Sequence, residues 1–289
     1  MGIAIKIFGH RGACGYRPEN TLESFKLAFD MGVDAIECDL VPTKDGHLII
    51  RHDNFLSSTT DVASRPEFAH LKREGIVGWQ HTEENWFCED FTLAELKQLR
   101  ATERMPEIRP GSAKFDGQFS LATVDELLAA DFAAGKHLIL EIKHGAYFAE
   151  RGFPVSAMLA KAINSSDWRE RGITLTLESF DFKVLEQMHR VCGNVGDYVF
   201  LVDTWGTPRL DEAAKIFDGV SFNGEVLWGT DLVAMAHARG LKVYVWTAKA
   251  EDAENSIEEH YFRYLDLGAD GIFVDQPDLL IEVAEGYSR

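Results

Sequence analysis

Short apolar runs alternate along most of this chain with longer stretches in which apolar residues recur every three or four positions. The short runs read as strands buried on both faces, and the longer stretches as amphipathic helices. Strand-like runs fall at 3–8, 34–41, 47–51, 137–143, 173–178, 197–203, 219–222, 242–247 and 271–275. Such alternation predicts a parallel sheet with crossover helices, and 289 residues suit a single TIM-type (β/α)8 barrel. One run is surplus to a ring of eight. Parallel neighbours need a crossover of about a dozen residues, and only residues 42–46 join the second run to the third. The run 47–51 is therefore expected to return antiparallel, outside the ring. Asp45-Gly46 favours a two-residue hairpin turn, which pairs Lys44 with His47 and places His52 opposite Asp39.

Helix starts show capping-box spacing at Asn20/Glu23, Thr92/Glu95 and Thr123/Glu126. Residues 53–118 break the rhythm. Rich in charge and turn residues, with one clear helix at 93–100, they read as an insertion at the mouth of a single domain spanning 1–289, with a separate small domain as the alternative. Trp79, Trp86, Phe87 and Phe91 are expected mostly to pack this insertion onto the barrel.

Charge narrows the choice of partners. With 47 acidic and 29 basic residues the net charge is −18, which disfavours nucleic acid and stable docking on anionic membranes. Any anionic ligand needs a local cation. Cys14, Cys38, Cys88 and Cys192 are scattered and read as free thiols. A strand-like run so close to Met1 leaves no room for a signal peptide, so the expected compartment is the cytoplasm; a periplasmic or secreted protein whose leader has been removed is the alternative. The oligomeric state is not legible.

Barrel active sites lie at the C-terminal ends of the strands. The first run ends in Gly9-His10-Arg11-Gly12. Glu37 and Asp39, two residues apart, share a face of the second run, and Glu141 and Lys143 repeat that placement later. Any one of these, taken alone, reads equally well as a solvated or structural side chain. Together, three inward carboxylates repel one another without a cation, and hard oxygen donors suit Ca²⁺, Mg²⁺ or Mn²⁺. His10 and His52 beside that cation can serve as acid and base, and Arg11 and Lys143 can hold a phosphate. Trp246 reads first as core and, with Phe180, as a candidate wall of a substrate pocket. Asn20 and Thr21 read as helix caps; His70, His81, His189, His237 and His260 read as surface or capping residues. His144 is one step out of phase with Lys143.

The ordered set His10-Arg11-Gly12-Ala13, Pro18-Glu19-Asn20-Thr21, Glu37-Cys38-Asp39, His52-Asp53 and Glu141-Ile142-Lys143 resembles the glycerophosphodiester phosphodiesterase family. Glu178-Ser179-Phe180, Val245-Trp246-Thr247 and Asp270-Gly271-Ile272 with Asp275-Gln276-Pro277 extend the likeness, and the insertion resembles that of the larger members. The resemblance implies a metal held by Glu37, Asp39 and Glu141, an acid–base pair in His10 and His52, and phosphate binding by Arg11 and Lys143. It implies hydrolysis of small glycerophosphodiesters to glycerol 3-phosphate and an alcohol, through attack by a neighbouring substrate hydroxyl and a cyclic phosphate. The alternatives are a sphingomyelinase D-like phospholipase, a non-catalytic metal- or phosphate-binding barrel, and a metal-assisted carbon-acid enzyme.

Overall fold

In the computed structural model, which describes residues 5–78, 81–203, 206 and 208–287, the alternating runs close into a ring of parallel strands. In chain order these are β1 (Lys6–Gly9), β2 (Ala35–Pro42), β3 (His137–Ile142), β4 (Thr174–Ser179), β5 (Gly196–Val202), β6 (Gly219–Asn223), β7 (Lys242–Ala248) and β8 (Gly271–Val274). The ring shuts at β1, which pairs in parallel with both β2 and β8. Each strand lies within a residue or two of its expected place, apart from β1, whose expected start at 3–4 falls outside the described residues.

Inside the ring, Phe8, Ala35, Ile139, Val199, Tyr244 and Phe273 form one buried cluster. Side chains alternate along a strand, so the positions two or four further on point into the open end of the barrel: His10 beyond Phe8, Glu37 and Asp39 beyond Ala35, Glu141 beyond Ile139, Trp246 beyond Tyr244, Asp275 beyond Phe273. The apolar plug thus sets the floor of the site. Residues one step out of phase, such as Leu138 and Leu140, join the larger core beneath the helices.

The 47–51 run does lie outside the ring, as a short antiparallel arm, Leu48–Ile50, on the edge of β2. Its register differs by one residue from expectation. Leu40 faces Ile50 and Pro42 faces Leu48, so Asp39 lies opposite Arg51, whose amide donates to the Asp39 carbonyl at 2.8 Å. The turn holds three residues, with Gly46 at φ +85° completing a bulge that a two-residue turn lacks. The Asp45 carboxylate is engaged by the Thr43 hydroxyl at 2.7 Å and the Leu93 amide at 2.9 Å, which ties this loop to the insertion. His52 still reaches the mouth, because the arm ends at Ile50 and the chain bends.

Within 53–118, Leu56, Val62, Phe68, Cys88, Phe91, Leu96 and Leu99 are continuous with the barrel's outer core. The helix expected at 93–100 covers only Leu93–Leu96. A hairpin of Arg73–Val77 and His81–Asn85 was not legible, since its residues are mostly polar and exposed. Phe87 and Phe91 are fully buried, and half-buried Trp86 donates its indole N–H to the Phe68 carbonyl at 2.8 Å; Trp79 lies outside the described residues. Capping boxes form at Thr92/Glu95 and Thr123/Glu126, but the first helix is capped by Thr21, not Asn20. The four cysteines are free and buried. Among the described residues no helix is long and apolar enough to cross a membrane.

One glycine sets the packing of the plug. A Cβ on Gly271 would lie 2.4 Å from the Phe8 ring, which itself packs edge-on against Tyr244 at 5.0 Å. Gly271→Val should therefore cost about 1 to 3 kcal/mol of stability through overpacking, read as a lowered urea midpoint with an unchanged denaturant slope.

Candidate active site

Glu37 and Asp39 of β2 meet Glu141 of β3 because the two strands pair Asp39 with Glu141. One oxygen from each lies within 4.8 Å of the others, and all three side chains are buried. Part of their hydrogen-bonding capacity is used: the Arg11 amide donates to Glu37 Oε2 at 3.0 Å, and Asn20 Nδ2 donates to Asp39 Oδ2 at 2.8 Å. Glu37 Oε1 and Asp39 Oδ1 are buried and receive no hydrogen bond. Glu141 Oε1 is better placed, 2.8 Å from Lys143 Nζ, whereas those two oxygens accept nothing. Buried carboxylate oxygens left in this state are costly. A divalent cation resolves the cost, and an all-carboxylate set fits Ca²⁺, Mg²⁺ or Mn²⁺.

Electrostatics point the same way. Burial pushes the Glu37 carboxyl well above the usual range, and repulsion from Asp39 and Glu141 adds to it. Burial lifts Glu141 to about 7 despite Lys143. Asp39 moves oppositely, because Arg11 and Lys143 overcome its burial and hold it below the usual range.

The cations and histidines stand around this cluster. Arg11, held at φ +51°, places Nε 3.3 Å from Asp39 Oδ2 and donates through Nη1 to Glu19 Oε1 at 3.0 Å. Lys143 Nζ is 3.4 Å from Asp39 Oδ1. His10 Nδ1 lies 2.7 Å from Asp275 Oδ1, and His52 Nδ1 lies 2.6 Å from Asp53 Oδ1. Both aspartates sit below the usual carboxylate range: their burial is outweighed by His10 and Arg109 around Asp275, and by His52 and Arg104 around Asp53. Ionised carboxylates only accept, so Nδ1 carries the proton on each ring and Nε2 is the nitrogen not held by the aspartate. Burial, with Arg11 adding to it, favours the neutral form of both rings; His52 is pushed down to about 3 and His10 is lowered in the same direction.

His10, Arg11, Glu37, His52, Glu141 and Lys143 line one cavity of about 440 Å³, together with Phe180 and Trp246. The last two rings meet edge to face at 5.4 Å. Trp246 thus fits both readings, packing partly buried against the apolar plug while lining the mouth. Other residues were misread or missed. Asn20 braces Asp39 instead of capping a helix. His144 adopts φ +50°, which breaks strand alternation and brings it to the cavity wall. His260 is buried against Tyr264. Glu178 is only 1% exposed, faces the cavity, and leaves Oε2 without a hydrogen bond; its inward phase opposite Glu141 was the available signal. Arg104 and Arg109 carried no signal, because nothing in the insertion's pattern says which charges turn inward.

The mouth of the barrel gathers buried acids, an arginine, a lysine and two histidines held by aspartates, and comparison with known proteins gives the class of the protein. Residues 10–279 match the model of the glycerophosphoryl diester phosphodiesterase family. The chain is 30% identical to a glycerophosphodiester phosphodiesterase of Caldanaerobacter subterraneus over 96% of both chains. It is 29% identical to one from Arabidopsis thaliana over 92% of this chain and 82% of that one. An Oleispira antarctica phosphodiesterase, solved with the product sn-glycerol-3-phosphate, shares the fold with a TM-score of 0.73 at 22% identity, covering 97% of this chain and 96% of that one. The chain belongs to the glycerophosphoryl diester phosphodiesterase family and is a phosphoric diester hydrolase.

The buried acids make a prediction about pH. Glu37, Glu141 and Glu178 have raised folded-state pKa values, so above the usual carboxylate range the unfolded chain releases protons that the folded chain retains, and stability falls as pH rises. In chelator, Glu178→Gln should melt increasingly above the parent protein as pH goes from about 5 to about 8. Parallel melting curves across that range would mean burial and mutual repulsion do not raise these carboxyls as described.

Proposed function

We propose that the protein cleaves small glycerophosphodiesters to glycerol 3-phosphate and an alcohol, with Glu37, Asp39 and Glu141 holding a divalent cation, Ca²⁺ or Mg²⁺ or, alternatively, Mn²⁺. The observation that carries this reading is the set of buried acid oxygens without hydrogen bonds, in a mouth shared with two histidines whose Nε2 atoms are left for chemistry. A bound cation would supply Lewis acidity at a phosphoryl oxygen. Arg11 and Lys143 bind the remaining charge of the phosphodiester. Burial lowers both histidines most, and Arg11 adds to it at both; negative charge brought to Arg11 by the substrate offsets that second part and favours protonation of one ring. One histidine then takes the proton of the attacking hydroxyl through Nε2, and the other delivers a proton to the departing alkoxide. Phe180 and Trp246 wall the space beside the phosphate. Residues 1–289 act as one domain under this proposal, with 53–118 inserted at its mouth.

The product named in the Oleispira antarctica complex supports a glycerol-bearing substrate here. Small diesters are favoured over intact phospholipids, because a chain of net charge −18 has little means of approaching an anionic bilayer. That argues against a sphingomyelinase D-like activity. A non-catalytic barrel has no need of two histidines oriented by aspartates, and a carbon-acid enzyme would need Lys143 as its base, whereas Lys143 pairs with Glu141.

Glycerophosphocholine turnover should stop in chelator and return with added divalent cation. His10→Ala and His52→Ala should each lower kcat by roughly 10² to 10⁴ in folded protein, with the double variant well short of the product of the two. Near-normal turnover in either single variant would make that histidine structural.

If the glycerol 2-hydroxyl is the nucleophile, closing a cyclic phosphate that water then opens, a 2-deoxy analogue should compete for the site and turn over very slowly. Equal kcat/KM for analogue and parent would establish direct attack by water.

A further inference from the structure

The insertion supplies two arginines from one short stretch, Arg104 and Arg109, that reach the aspartates behind His52 and His10. Arg104 grips Glu19 with two bonds, Nε to Oε2 and Nη2 to Oε1, both 2.8 Å, and donates through Nη1 to Asp53 Oδ2 at 2.8 Å. The other oxygen of Asp53 holds His52. Arg109 donates through Nη2 to Asp275 Oδ2 and through Nε to Glu251 Oε1, and its Nη1 reaches the Cys14 carbonyl at 3.2 Å. The other oxygen of Asp275 holds His10. Each histidine therefore ends a chain of the same composition, His–Asp–Arg, and both arginines are supplied by the segment that interrupts the barrel.

We propose that Arg104 and Arg109 are positioning residues, each fixing one aspartate so that its histidine keeps the proton on Nδ1 and turns Nε2 to the substrate. A carboxylate has two oxygens and can rotate about its last bond. Occupying the outer oxygen with a guanidinium leaves the inner one a single direction, toward the ring. Arg104 does more, because Glu19 also accepts from Arg11; the phosphate-binding guanidinium and the His52 ring are thereby set by one side chain. The stretch between them is itself held: the Glu103 amide donates to Asp116 Oδ1 at 2.7 Å, the Met105 amide to Glu103 Oε1 at 3.0 Å, and the Arg109 amide to the Met105 carbonyl at 2.8 Å. The insertion thus braces the catalytic geometry besides bordering the mouth. This inference rests on the acid–base reading of His10 and His52.

The test uses the full chain labelled with nitrogen-15 at histidine. Arg109→Gln should move the ring-nitrogen shifts of His10 away from a single Nδ1-protonated tautomer and leave His52 unchanged, and Arg104→Gln should do the converse. Each variant should lose about 10- to 100-fold in kcat on glycerophosphocholine, the scale expected for a misplaced catalytic group, with KM moving less for Arg109→Gln than for Arg104→Gln, which also frees Arg11. Arg109 is buried, so Arg109→Lys, which keeps the charge but not the fork, serves if Arg109→Gln fails to fold; it should show the same tautomer change in weaker form. Unchanged tautomers in folded variants would overturn the positioning role, whatever kcat does. A changed tautomer with normal kcat would uphold the geometry and overturn the acid–base reading beneath it.

Discussion

The site depends on repulsion among carboxyl groups that the barrel forces together. Parallel pairing aligns Asp39 with Glu141 and Glu141 with Glu178, and Glu37 shares the face of Asp39. None can move away, because the aromatic plug of Phe8, Tyr244 and Phe273 fixes the strands beneath them. Positive charge has to be brought in, and most of the chemistry at the mouth can be read as the ways this is done. Arg11 and Lys143 offset Asp39, yet Glu37 remains with its carboxyl pushed well up. Side chains leave the balance incomplete, which is what a site for a small divalent cation requires.

Two further carboxylates, Asp53 and Asp275, are treated differently. Each has an arginine on one side and a histidine on the other, so each stays ionised and acts as a hydrogen-bond acceptor. The contrast separates two roles for one functional group within a single mouth. Acids that keep one buried oxygen without a hydrogen bond make up the cluster that could hold a metal, and acids paired through both oxygens hold the histidine rings. The chain carries an overall surplus of negative charge, which Arg11 and Lys143 offset locally beside the cluster.

Much of this was legible in the sequence because strand periodicity and barrel geometry act together. Position at a strand end picked out His10 and Arg11, inward phase picked out Glu37, Asp39, Glu141 and Lys143, and the crossover-length argument put 47–51 outside the ring. Legibility failed wherever backbone left that regularity. His52 was placed by a turn that proved one residue longer, and reached the mouth through a bend instead of through strand register. His144 escaped because a left-handed residue resets the phase, and Asn20, at φ +59°, because a side chain read as a cap turned back to Asp39. The Arg73–Val77 hairpin and the two arginines lie in a segment whose polar pattern has no period to read. Glu178, opposite Glu141 on the next strand, carries the same inward phase and is legible by the same argument.

The most direct measurement of the central claim is anomalous diffraction from crystals of the full chain soaked in Mn²⁺. A single strong peak among Glu37, Asp39 and Glu141, at about 2.0 to 2.6 Å from an oxygen of each, is the result this account requires. Crystals with no peak there, at Mn²⁺ concentrations that support diester cleavage in solution, would contradict it.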